Sequence, residues 1–102
     1  MIFQEADLVA AVTRDRAAGK RIAFVAVSFE LLRVGDVRTI QKASADADRL
    51  VVAVTDDGRP QVVNAADRAE LVDSLRGVAY VIVCPAARVE TLARLLAPDV
   101  RA

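Results

Sequence analysis

Apolar positions in this chain alternate between helical stripes and short continuous runs. Residues 4–20 place Leu8, Val9, Val12 and Ala17 near one helical stripe, and Gly19 supplies a stop, so this segment is expected to be a helix. Residues 21–29 form a run rich in β-branched side chains, Arg21-Ile22-Ala23-Phe24-Val25-Ala26-Val27-Ser28-Phe29, which fits a strand covered on both faces. Gly35-Asp36 reads as a turn, followed by Val37, Ile40, Ala43 and Ala47 at helical spacing. Residues 49–54 repeat the buried-strand pattern, and residues 55–60, Thr55-Asp56-Asp57-Gly58-Arg59-Pro60, break it with turn chemistry. Asn64 with Asp67 resembles a capping box opening a helix whose apolar positions are Ala66, Leu71, Val72 and Leu75, closed by Gly77. Residues 78–83 are a third strand. Pro85 then marks a helix start, with Val89, Leu92, Leu95 and Leu96 as the apolar face up to Pro98.

The order is α-β-α-β-α-β-α, with connections that suit right-handed βαβ crossovers. It predicts a Rossmann-like three-layer αβα fold around a short parallel sheet. Ligands of such sheets sit beyond the carboxyl ends of the strands, so residues 28–36, 55–59 and 83–86 form the expected functional rim.

Composition narrows the chemistry. A chain of 102 residues makes one domain, here 1–102, and 55% apolar content with 27% charge is that of a folded globular protein. Fourteen basic and fourteen acidic residues cancel, so no long-range field favours nucleic acid or an anionic membrane. Apolar stretches such as 22–27 are far short of the ~20 residues of a membrane helix. Without signal-peptide features, the chain is expected to be cytoplasmic. With no histidine, histidine-based catalysis is excluded, and a single cysteine leaves no usual zinc set. Cys84 is read as a small core residue. Asp56 and Asp57 are read as solvated turn carboxylates, with no metal site expected. Neither a Gly-x-Gly-x-x-Gly nor a Gly-x-x-x-x-Gly-Lys loop occurs.

The segment Ser28-Phe29-Glu30-Leu31-Leu32-Arg33-Val34-Gly35-Asp36 after its hydrophobic strand resembles the Phe-Asp-x-x-His-x-Gly-His opening of cytidylyltransferase-like nucleotidyltransferases. The nucleotidyltransferase domain of ADP-heptose synthases and glycerol-3-phosphate cytidylyltransferases are the nearest in kind. The resemblance continues through residues 48–54, Gly58-Arg59-Pro60, Asp67-Arg68-Ala69-Glu70, residues 78–83 and Pro98-Asp99-Val100. It implies a ligand rim drawn from Ser28, Phe29, Glu30, Arg33, Gly35, Asp36, Arg59 and Arg68.

The two motif histidines fall on Arg33 and Asp36. In the family the pair holds the triphosphate and stabilises charge developing during transfer, aided by the following helix N-terminus. Arg33 retains the capacity to donate to a phosphate, or pairs with Asp36 or Glu30. Asp36 repels a triphosphate and is read as a helix cap. Gly35 is read as a backbone-geometry residue, and Arg68 as a helix-surface residue near Asp67 and Glu70. The family's basic segment before the Arg-Pro element and its later Ser/Thr-rich motif have no counterpart here, so the chain is read as lacking the family's C-terminal part.

The resemblance therefore implies a degenerate nucleotidyltransferase-like domain with a binding, regulatory or assembly role and no resident cofactor. The alternative is a working enzyme that transfers CMP or AMP from CTP or ATP, with magnesium, to a sugar phosphate or polyol phosphate and releases pyrophosphate. A nucleotide or phosphate is the expected ligand. The family's strand order, third-second-first-fourth, would leave residues 22–27 without an outer neighbour if the chain ends near Val100. A homodimer pairing along that strand is then expected, with Met1-Ile2-Phe3 as the substitute cover.

Overall fold

In β1 (Ile22–Val27), side chains alternate between two apolar layers, which is why the whole strand reads as hydrophobic. Ile22 and Phe24 face one layer; Ala23, Val25 and Val27 face the other. The computed structural model describes residues 1–27, 34–56 and 64–102. Three further strands, β2 (Arg49–Asp56), β3 (Val78–Pro85) and β4 (Val100–Arg101), join β1 in one sheet of order β3-β2-β1-β4, and every pairing is parallel. This is the strand order that the family resemblance implies.

Helices cover both faces. α1 (Glu5–Ala17) and α4 (Val89–Leu96) lie over Ile22, Phe24, Val51 and Ile82 through Leu8, Val12, Leu92 and Leu96. On the opposite face, α2 (Val34–Ala45) contributes Ile40 and Ala43, and α3 (Ala65–Asp73) contributes Ala65, Ala69 and Val72, packed on Val25, Leu50, Val52 and Val54. A 3₁₀ turn, Ala86–Arg88, leads from β3 into α4.

The sequence pattern places all three long strands and four helices, with differences at several ends. β2 runs through Thr55 and Asp56, so these residues continue the ladder opposite Cys84 and Pro85 where a turn was expected. Gly35-Asp36 is likewise not a turn before α2 but part of its first turn. On α3 the buried stripe is Ala65, Arg68, Ala69 and Val72, whereas Leu71 is 49% exposed. Of the expected positions Val72 is buried and Leu75 packs against the core, whereas Ala66 and Leu71 face outward and Ala65 and Ala69 meet the sheet in their place. Leu95 of α4 is similarly 52% exposed, with Ala93 buried in its place.

The greatest difference concerns the sheet edges. β4 pairs with β1 at Ala23↔Val100 and Phe24↔Arg101, so β1 has the outer neighbour that it was expected to lack. Met1–Phe3 does serve as an extra strand, but on β3: Ile2 bridges Val81, Phe3 N–H donates to Val81 O at 2.8 Å, and Val81 N–H donates to Met1 O at 2.8 Å. β4 thus covers β1 at Ala23 and Phe24, part of the strand along which a homodimer was expected to pair.

Candidate functional site

The parallel sheet directs the carboxyl ends of β1, β2 and β3 to one rim, and strand order reverses between β1 and β4, the position at which open α/β sheets place ligands. On this rim a buried polar chain links three elements. Thr55, near the end of β2, donates through Oγ1 to the carbonyl of Val27, the last residue of β1, at 3.2 Å. Arg68 of α3 donates through Nη2 to the carbonyl of Thr55 at 3.1 Å. Arg68 is only 5% exposed and Thr55 8%, the buried polar residues among those described.

A buried guanidinium is costly unless its donors find partners, so its presence in an otherwise apolar helix face ties α3 to one place on β2. This overturns the reading of Arg68 as a surface residue near Asp67 and Glu70. Its position between Ala65 and Val72, three residues after the first and four before the second, was the available signal: it shares their stripe. Thr55 falls in the expected rim, but as a turn residue, because Asp56, Asp57 and Gly58 follow it, although a β-branched residue suits a strand end equally well. Asn64 begins α3 as the capping pattern predicts, its Oδ1 accepting from Asp67 N–H at 2.8 Å.

Gly35 and Asp36 lie together in the first turn of α2, which follows β1. Asp36 is therefore not the cap residue; its carboxylate lies inside the first turn, where it complements the positive end of the helix. Gly35 does not have a positive φ, so left-handed backbone is not its reason for being glycine. A Cβ there would meet nothing within 4 Å among the described residues. Ser28, Phe29, Glu30, Arg33 and Arg59 lie outside the described residues.

At the β3 end of the rim, Cys84 is buried in the layer under α1 and α4. Burial first, then the Glu5 carboxylate, push its thiol pKa up against an opposing effect of Arg88, which keeps it a thiol and agrees with a core role. Arg88 is engaged by Glu5 through two hydrogen bonds of 2.6 and 3.2 Å; this pairing lowers the pKa of Glu5 and raises that of Arg88. Among the described residues no group of three or more His, Cys, Asp or Glu side chains is arranged to hold a metal ion, and no helix is long and apolar enough to cross a membrane.

No family model matches the chain. Curated relatives do. The bifunctional protein HldE of Pseudomonas entomophila is 37% identical over 103 residues, an alignment covering 91% of this chain and 21% of the relative. The protein of the same name from Halorhodospira halophila is 42% identical over 67 residues, covering 66% of this chain and 14% of the relative. Similarity at this level, over a chain with the expected strand order and the degenerate motif, decides the matter. The chain is a homologue of part of HldE and has a nucleotidyltransferase-like fold.

It spans about a fifth of the length of the first of these relatives, 21%. A lipopolysaccharide core biosynthesis protein from Thermoplasma volcanium has the same fold, with a TM-score of 0.72 at 20% identity over 81% of this chain and 73% of that one. Against the superfamily pattern, the described part of the motif keeps its glycine at Gly35 and carries Asp36 in place of the second histidine.

Proposed function

We propose that this chain is a catalytically inactive nucleotidyltransferase-like domain that serves as a binding module for the phosphates of a nucleoside triphosphate. The observation that carries the loss of catalysis is Asp36. It occupies the first turn of α2, where the superfamily motif has a histidine, and a carboxylate there repels the triphosphate and engages the positive helix end itself. One electrostatic donor is typically worth 10²- to 10³-fold in rate, and both motif histidines are replaced. Residual binding is supported by Gly35, which stands in the first turn of α2 at the same helix end.

Pyrophosphate release from CTP or ATP, measured with magnesium across a panel of sugar and polyol phosphates, is expected to match the background rate. Robust turnover would instead establish the working-enzyme reading. Calorimetric titration with CTP and ATP, with and without magnesium, is expected to show weak binding; flat isotherms with both nucleotides would remove the binding role.

A further inference from the structure

We infer that Arg68 and Thr55 are positioning residues for the ligand rim, acting as a buried clamp that sets the end of β1, and hence the start of α2, against β2. Two hydrogen bonds carry the inference. The Arg68 guanidinium holds the Thr55 carbonyl at 3.1 Å, and the Thr55 hydroxyl holds the Val27 carbonyl at 3.2 Å. Val27 is the last β1 residue, and α2, which packs on β1 and β2 through Ile40 and Ala43, carries Gly35 and Asp36 in its first turn.

Among the described residues the sheet ladder aligns β1 with β2 as far as Val27↔Val54. Thr55, the next β2 residue, pairs with Cys84 on the far side of β2, and its side-chain bond to the Val27 carbonyl adds a link back to β1. Arg68 adds the third body. α3 packs on the sheet through Ala65, Ala69 and Val72, and the buried, directional guanidinium of Arg68 adds specificity to that apolar contact. A lysine cannot reproduce the planar fork of the guanidinium, so Arg68→Lys tests geometry while keeping charge. Thr55→Val keeps shape but leaves the Val27 carbonyl without this donor.

The inference rests on the proposed nucleotide-binding role, and the experiment separates the two. CTP affinity by calorimetry, melting temperature, and the amide chemical shifts of Gly35 and Asp36 are measured for the full chain and for Arg68→Lys, Thr55→Val, Thr55→Ser and Val72→Ala. Val72→Ala is a destabilising control in the same helix that leaves the clamp intact. The expected result is that Arg68→Lys and Thr55→Val weaken CTP binding about tenfold and move both amides. Thr55→Ser, which keeps the hydroxyl, restores binding, and Val72→Ala lowers the melting temperature with affinity unchanged. Wild-type affinity in Arg68→Lys and Thr55→Val overturns the clamp, as does equal weakening by Val72→Ala. If the wild type binds neither CTP nor ATP, the binding role falls. The clamp then stands or falls on whether Arg68→Lys and Thr55→Val, but not Val72→Ala, move the Gly35 and Asp36 amides.

Discussion

Ile22 and Asp99 exchange hydrogen bonds: Asp99 N–H donates to Ile22 O at 2.8 Å, and Ile22 N–H donates to Asp99 Oδ2 at 2.8 Å. The backbone half aligns the strands, and the carboxylate half satisfies the first N–H of β1, which has no earlier ladder partner on this side. The exchange seats β4 against β1 in the register Ala23↔Val100. Arg16 reinforces the corner, donating through Nη2 to Leu96 O at 2.7 Å and Ala97 O at 2.6 Å, with its other terminal nitrogen 3.7 Å from Asp99.

Asp99 should make stability pH-dependent. The Ile22 N–H, assisted by Arg16 and opposed by burial, holds its carboxyl pKa below the usual value. A lowered folded-state pKa contributes stability that is fully present above the unfolded value of about 3.9 and is lost as pH falls through the folded value. Asp99→Ala is expected to melt at a lower temperature than the wild type at neutral pH, with the gap closing below about pH 4. A gap that stays constant down to the acid limit would place the effect elsewhere.

Ala97 closes α4 with φ 45° and ψ 59°, a left-handed conformation that costs a side-chain-bearing residue about 1–2 kcal/mol. Glycine avoids that cost but loses more freedom on folding. Ala97→Gly is expected to stabilise by a net of about 0.5–1 kcal/mol in urea titration, with the Arg16 bonds to the backbone retained.

Gly77 combines φ +91° with a close approach: a Cβ there would stand 2.2 Å from Ser44 Oγ, whose hydroxyl donates to Gly77 O at 3.0 Å. Gly77→Ala is expected to destabilise by about 2 kcal/mol or more. Adding Ser44→Ala should recover only part of this, because it removes the oxygen and leaves the backbone strain. Full recovery in denaturant titration would show that the φ contributes nothing.

Asp36→Asn separates binding from stability. Removing the carboxylate from the first turn of α2 should strengthen CTP or phosphate binding by about 1 kcal/mol, close to fivefold, and lower helix stability by a few tenths of a kcal/mol. Opposite signs in calorimetry and melting are the signature. Unchanged isotherms would assign this turn a structural role alone.

The αβα architecture was legible along the chain because each long strand has buried residues on both faces. A run such as residues 50–54, apolar without alternation, has few alternatives beside helical stripes of the right length. The Asn64 cap and the stops at Gly19 and Gly77 were legible for a local reason: both glycines adopt positive φ, at +82° and +91°. The relation to HldE was also carried by the sequence, in the order and spacing of its motif segments.

What only the tertiary structure decided involved contacts between distant segments. Two residues of β4 are too few to show a periodic pattern, and their pairing with β1 depends on the Asp99–Ile22 exchange across 77 positions. Met1–Phe3 joined the β3 edge through Val81, a choice between two edges that local sequence does not encode. Arg68 is polar by type and buried by circumstance: its carbonyl partner on β2 comes within reach only after α3 has settled on the sheet through Ala65 and Ala69. Local propensity names the elements, but which small residue faces the core, and which buried donor finds which carbonyl, is fixed by packing.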